Sequence, residues 1–355
     1  MAEAFDRRSR TREDLAAAFS YFGKVECPPL DARIYAALCD TVAHDPDLLD
    51  LAASAPPDQP PANLLFAAVH YLLLAGEDHE LSAWYPELAP GKANSPESVG
   101  PVFRDFCLAH PARIRELIET RLIQTNVLQR TSALLPSFAR VFEAGGRKPL
   151  SLLEIGASAG LNLNWDRFQY AYSDGTRWGS QSSPVFIECE LREAGALAFL
   201  PAEIPVVDRL GVDLNPVDLS DRDEVRWLQA LIWPDHKGRQ ERLMAGIRIA
   251  NKNPTPLVKG DACEKLPSLI AEASPDTTLC VFGTFTLYQF PRDALMATLK
   301  AMQAASASRP IHFISIEGAA DPGPEVQWTS YADEKRTTTL LARCNPHGRW
   351  LQWLG

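Results

Sequence analysis

The sequence predicts an α/β fold: a mostly parallel sheet ending in a C-terminal antiparallel hairpin, preceded by an all-helical region. Three observations predict it. Up to residue 148 apolar residues recur at helical intervals. After Pro149 short apolar runs bounded by turn residues alternate with helical stretches, the signature of a parallel sheet covered on both faces. The first of those runs ends in a cluster of small residues, where an open α/β sheet lets a ligand approach the backbone.

The helical region is expected over residues 1–148, as a cap over the ligand-binding edge of the sheet. Asp31 to Leu51 is helix-like, the Pro-rich run Ala55 to Pro61 is a loop, and Asn63 to Ala75 is apolar on nearly every side, which suits a buried helix. From Pro111 to Ala144 the residues Ile114, Leu117, Ile118, Leu128, Leu135, Phe138 and Phe142 keep a helical interval, so one long helix, bent at Pro136, is predicted to end at Gly145 and Gly146. The sheet domain, 149–355, is expected to use the strands Leu150 to Ile155, Val206 to Val212, Pro256 to Val258, Thr278 to Phe282 and Ile311 to Ile316. An insertion around 171–205 carries one more strand, Pro184 to Leu191. Thr337 to Ala342 and Arg349 to Leu354, joined by Asn345 to Gly348, form the terminal hairpin.

Bulk properties bound the function. The chain has 355 residues, 46% hydrophobic and 23% charged, enough to bury a full core and to form two domains. A net charge of -10 repels a polyphosphate backbone, so a nucleic-acid partner is not expected. The longest apolar stretch, Leu64 to Ala75, is too short to cross a bilayer, and Met1 to Asp14 is charged and unlike a secretory signal. A cytoplasmic protein without membrane contact is expected. Its 7 cysteines are scattered and never spaced as Cys-x-x-Cys, and His70 and His79 do not share a helical turn, so neither disulfides nor a metal site are expected.

Three readings compete for Glu154-Ile155-Gly156-Ala157-Ser158-Ala159-Gly160. A dinucleotide fingerprint fails, because Ser158 and Leu161 stand at its second and third glycine positions. A nucleophile elbow, Gly-x-Ser-x-Gly, fits literally with Ser158 as nucleophile. Such an elbow, however, follows several strands and an oxyanion loop, whereas everything before Leu150 looks helical; Asp261 and His347 would have to complete a triad. The third reading resembles motif I of class I S-adenosylmethionine-dependent methyltransferases, an acid followed by alternate small residues: Glu154, Gly156, Ser158, Gly160. Two later segments strengthen that resemblance, Leu210-Gly211-Val212-Asp213 and Val258-Lys259-Gly260-Asp261-Ala262.

The resemblance implies a Rossmann-like sheet, S-adenosylmethionine as cofactor and a set of roles. Asp213 would accept the ribose hydroxyls and Asp261, next to Ala262, the adenine amino group, since carboxylates are acceptor-only and take two donors at once. Asp213 lies 53 residues beyond Gly160, where about 20 is usual, so an insertion is required; were Pro184 to Leu191 the true second strand, Glu190 would replace Asp213. Asn162 and Arg167 fall on the first turns of a helix expected after Gly160, where the N-terminus favours a carboxylate; the bland alternative makes Arg167 a surface charge and Trp165 core. Gln124 and Asn126, on the long helix with Arg121 and Arg130, could orient a substrate, or could lie on a solvated face. Thr284 and Tyr288, after the fourth strand, are the candidate catalytic residues, with Glu317 and Gly318 as a second pair at the sheet edge. His70 and Tyr71 read as a buried, hydrogen-bonded pair.

Over most of its length the chain is also similar to a bacterial family, domain-of-unknown-function family 2332. The likeness runs through Phe103-Arg104-Asp105-Phe106-Cys107, Gln124-Thr125-Asn126, Gly156 to Arg167, Asp213 to Asp218, Gly260-Asp261-Ala262 and His347-Gly348-Arg349-Trp350. It implies the architecture and supplies no activity. Sequence reasoning therefore points to methyl transfer to a small molecule, against a serine hydrolase using Ser158 or a non-catalytic nucleoside-binding protein; no base and no oligomeric state can be read.

Overall fold

A computed structural model describes residues 10–92, 94–192, 197–236, 238–318 and 323–355. The start of the expected charged N-terminus and part of the expected insertion, 193–196, fall outside them. The chain forms two compact units, one of residues 1–125 and 220–241, the other of 126–219 and 242–355.

The first unit is helical: α1 (Arg12–Tyr21), α2 (Arg33–Ala43), α3 (Pro46–Ala52), α4 (Pro61–Leu74), α5 (Val99–Ala109), α6 (Pro111–Thr120) and, returning from the second unit, α8 (Arg222–Ala230). The all-round apolar α4 is buried from Leu64 to Leu73, and its Phe66 meets Phe19, Tyr35 and Phe103 at ring-centroid distances of 5.9, 4.7 and 5.7 Å. His70 and Tyr71 belong to this packing as expected. The His70 ring sits between the Ala230 carbonyl and the Glu87 carboxylate, and the Tyr71 hydroxyl donates to Asp223.

The long helix predicted from Pro111 to Ala144 is two helices. Residues 121–127 form no regular element, a tight turn covers Leu128–Arg130, and α7 (Thr131–Ala144) follows in the second unit. Thr125, Asn126 and Val127 are weak helix formers in succession, two of them β-branched, and this outweighs the helical spacing of the apolar positions on either side. Gln124 and Asn126 are therefore not helical, and they fall in different units.

The second unit holds a mixed, mostly parallel sheet of 11 strands. In chain order they are β1 (Leu150–Ile155), β2 (Gln169–Tyr172), β3 (Arg177–Trp178), β4 (Phe186–Leu191), β5 (Val206–Asp213), β6 (Leu257–Lys259), β7 (Thr278–Thr284), β8 (Ile311–Glu317), β9 (Glu325–Ala332), β10 (Lys335–Cys344) and β11 (Trp350–Trp353). Their order is β3-β2-β4-β11-β10-β9-β8-β7-β1-β5-β6. Five of them, β6-β5-β1-β7-β8, run parallel, with β5 and β6 on one side of β1 and β7 and β8 on the other, so the strand order switches at β1. The expected hairpin is present as the antiparallel pair β10 and β11. β2, β3 and β9 add strands that the sequence reading did not contain.

The connecting helices α9 (Arg239–Lys252), α10 (Ala262–Glu272) and α11 (Arg292–Ala305) complete the unit. Leu266, Leu269 and Ile270 of α10 and Met302 of α11 pack with Leu153, Ile155, Val281 and Phe313 on one face of the sheet. Phe138 of α7 meets Phe282 and Trp165 at 5.2 and 4.9 Å, which anchors α7 against β7.

Candidate functional site

The site is built on the end of β1. This strand is fully buried and pairs in parallel with β5 and β7, so that Ile155 is in register with Val212 and Gly283. Beyond it the backbone turns through Gly156 (φ 70), Ser158 (φ 49) and Gly160 (φ 66). At Gly156 the conformation is obligatory for a second reason: a Cβ there would collide with the side chain of Thr286, which closes over the loop. Ser158 adopts a left-handed conformation that costs a side-chain-bearing residue about 1–2 kcal/mol, and the surroundings hold it there. Its N–H donates to Asp213 Oδ2 (2.7 Å), its Oγ accepts from Asn126 Nδ2 (2.7 Å) and its carbonyl accepts from Val217 N–H (3.1 Å).

Asn126, Ser158 and Asp213 are thus brought together. Asp213 closes β5, the strand next to β1, and its Oδ1 also accepts from the Asn215 N–H (2.8 Å). Glu190 lies on β4, opposite Trp350 of β11 and away from β1, so it does not occupy the strand-end position beside the loop. Asp261 follows β6; it spends Oδ1 on capping α10 through the Cys263 N–H (2.9 Å), with Ala262 buried behind it.

Glu154 is 1% exposed. Its Oε1 accepts from Asn162 Nδ2 (3.2 Å), while Oε2 is buried with no partner among the described residues. Burial, reinforced by the nearby charge of Asp213, pushes its carboxyl up to about 8. Around it Asn162 Oδ1 and both amide atoms of Asn164 are also buried and unpartnered among the described residues. A run of orphaned donors and acceptors in a packed interior is costly unless a polar guest satisfies them.

In place of the helix expected after Gly160 are two short 3₁₀ turns within Leu161–Arg167, kinked at Asn164, leading into β2. Asn162 and Asn164 are weak helix formers, and Trp165 turns inward, stacked on Trp178. No helix N-terminus therefore faces the loop at this point. Arg167 is exposed at the end of the turn, as the surface-charge alternative had it, and its neighbour Asp166 is paired with Arg209 (2.7 Å).

On the other side of β1, Thr284 ends β7 in register with Ile316, and Tyr288 is 66% exposed. Glu317, the last residue of β8, accepts from the N–H groups of Thr286 and Leu287 (2.9 and 3.0 Å), tying the loop after β7 to β8. Arg130, which sequence reasoning assigned no role, lies here too. It is only 9% exposed, and its guanidinium stacks 4.1 Å from the centroid of the Phe285 ring.

Among the described residues no helix is long and apolar enough to cross a membrane. No curated protein and no solved structure matches the chain. A family described as an uncharacterized protein conserved in bacteria, DUF2332, matches residues 16–353, and the chain belongs to that family.

Proposed function

We propose that the chain is an S-adenosylmethionine-dependent methyltransferase acting on a small molecule. The observation that carries the reading is the succession of three carboxylates, Glu154, Asp213 and Asp261, at the C-terminal ends of three neighbouring parallel strands, with the positive-φ loop Gly156 to Gly160 turning over the first. Open α/β sheets bind nucleotide cofactors at such a place. The residues fit that guest. Glu154 Oε2, Asn162 Oδ1 and the Asn164 amide supply unspent acceptors and a donor for an ammonium and a carboxylate. Ribose hydroxyls fall to Asp213, and adenine to Asp261 and Ala262. When bound, the cofactor supplies an electrophilic methyl group. The chain supplies alignment and exclusion of water, with Thr284 and Tyr288 beside the site of transfer and Asn126 fixing the loop from its far side.

Titration calorimetry with S-adenosylmethionine, S-adenosylhomocysteine and NAD tests the reading. Heat is expected with both sulfur nucleosides and not with NAD. Because an ammonium beside Glu154 favours the ionised carboxylate, binding at pH 7 should also release a proton, read as a dependence of the heat on the buffer's ionisation enthalpy. Absence of heat with either sulfur nucleoside at millimolar concentration overturns the proposal. One observation favours a second reading: the left-handed backbone of Ser158 is what a serine nucleophile on a strand-to-helix elbow adopts.

A further inference from the structure

Arg130 stands where an arginine with only a structural role would be expensive. It sits in the turn Leu128–Arg130 ahead of α7, nine-tenths buried, and among the described residues its side-chain hydrogen bonding is confined to Nε, which donates to the Pro346 carbonyl (2.9 Å). The two terminal nitrogens, which carry four of the five donors of a guanidinium, have no protein acceptor there. Among the described residues no carboxylate forms an ion pair with it; Cys344, Tyr288 and Glu317 act on it through space only. Burial pulls its guanidinium down to about 10, the sign of a charge removed from water without full compensation.

The walls around it are fixed from three directions. Gly348 (φ 74), in the turn between β10 and β11, lies so close that a Cβ would strike the Gln129 carbonyl, and Gln129 and Ser132 both donate to the Gly348 carbonyl, at 3.4 and 3.2 Å. Phe285, held at φ 55, lays its ring against the guanidinium face and donates its N–H to the Ile316 carbonyl (2.9 Å). Glu317 is locked through Oε1 by the two backbone donors of the loop after β7, which leaves Oε2 buried and unpartnered. Stacking on Phe285 and one carbonyl bond could be served by an apolar side chain of equal volume. What such a side chain could not offer is a planar fork of donors within electrostatic reach of a carboxylate that has an unspent oxygen.

We infer that Arg130 and Glu317 form a recognition site, at the C-terminal ends of β7 and β8, for a small carboxylate that carries a hydroxyl or amino group. The fork of Arg130 takes the carboxylate in a bidentate pair, and Glu317 Oε2 accepts from the neighbouring hydroxyl or amine. Glu317 also argues against a phosphate dianion, which would bring two negative charges to its side. Calling this ligand the methyl acceptor rests on the reading given under the proposed function; the carboxylate site itself does not.

The test is run without any nucleoside, so that its failure and the failure of the cofactor assignment are separate results. Thermal-shift and NMR titrations of the full chain use lactate, mandelate and phenylalanine, each beside its carboxamide, with propionate and inorganic phosphate as further probes. At least one of the three acids is expected to bind, its amide at least tenfold more weakly. Arg130→Gln should abolish that preference and Arg130→Lys, which keeps charge but loses the fork, should retain only part of it. Glu317→Gln should bind propionate no more weakly than the unmodified protein while reducing the advantage of lactate over propionate. The acid-against-amide contrast on the unmodified protein stands whatever the variants do to folding. Binding of no acid, equal binding of acid and amide, or tighter binding of phosphate than of any carboxylate overturns the inference.

Discussion

The two halves of the strand-end edge in the second unit spend their polar groups in opposite ways. In the half made by β1, β5 and β6 the acids turn inward: Asp213 braces the loop through the Ser158 and Asn215 N–H groups, and Asp261 caps α10. In the half made by β7 and β8 the backbone is tied by Glu317 Oε1, yet Arg130 keeps its fork unspent. A carboxylate that accepts two backbone N–H bonds still has lone pairs to offer, so one group can hold a loop and bind a ligand at once. A guanidinium has no such reserve of acceptors, and its donors are either used or open. The first half is thus a framework whose acids are spent on the backbone, a cradle for a ligand only on the proposed reading, and the second a set of open donors and acceptors on a framework built elsewhere.

Glu154 offers the largest way to break that comparison, because its buried Oε2 is polar capacity that the cradle does not use. Its folded carboxyl titrates near 8, against an ordinary value of 4.5. Between those two values the folded chain holds a proton that the unfolded chain has released, so stability falls as pH rises through that window and is fully present below it. A shift of this size is worth on the order of a few kcal/mol. Glu154→Gln should remove that slope. Urea denaturation of both proteins near pH 5 and again at about pH 8.5 should show the wild type losing more stability than the variant; parallel pH profiles would mean that Glu154 is ionised in the fold and already partnered.

Asp213 sharpens the comparison by testing both of its duties. Asp213→Ala strands the buried Ser158 N–H, at a cost of about 1–3 kcal/mol, and should weaken sulfur-nucleoside binding at least tenfold, which is about 1.4 kcal/mol. Glu190, exposed on β4 beside β11, should change neither when replaced by alanine, within about 0.5 kcal/mol. Affinity lost with Glu190→Ala and kept with Asp213→Ala would remove Asp213 from the cradle's ligand groups.

The same contrast explains what could be read in the sequence. β1, β7 and β8 were legible because strands buried on both faces must be apolar runs, whereas the partly exposed β5 and β6 were legible from short apolar runs that end just before Asp213 and Asp261. β9 was not: Glu325, Gln327, Thr329 and Ser330 give it no apolar run, and its place is set by pairing with β8 and β10. The break between α6 and α7 was hidden by apolar positions that keep a helical interval across it. The cradle was legible because its acids adjoin the strands that carry them. Arg130 was not, because the turn that frames it, at Pro346, lies 216 residues further along the chain.

Ser158 carries the smallest expected effect and the finest distinction. As a loop residue it pays for its left-handed backbone, and glycine in its place would remove that cost of about 1–2 kcal/mol while giving up one hydrogen bond from Asn126 worth about 1 kcal/mol. The two nearly cancel, so Ser158→Gly should melt within a few degrees of the wild type and keep its nucleoside affinity. As a hydrolase nucleophile Ser158 would need its hydroxyl to donate to a base. In the structure that hydroxyl oxygen instead accepts from an amide at 2.7 Å, which lowers the electron density available for attack. A fluorophosphonate probe should accordingly leave the protein unlabelled. Stoichiometric labelling, lost in Ser158→Ala, would show that the left-handed turn serves an elbow rather than a cradle, and Asn126 would then have to move aside before the serine could react.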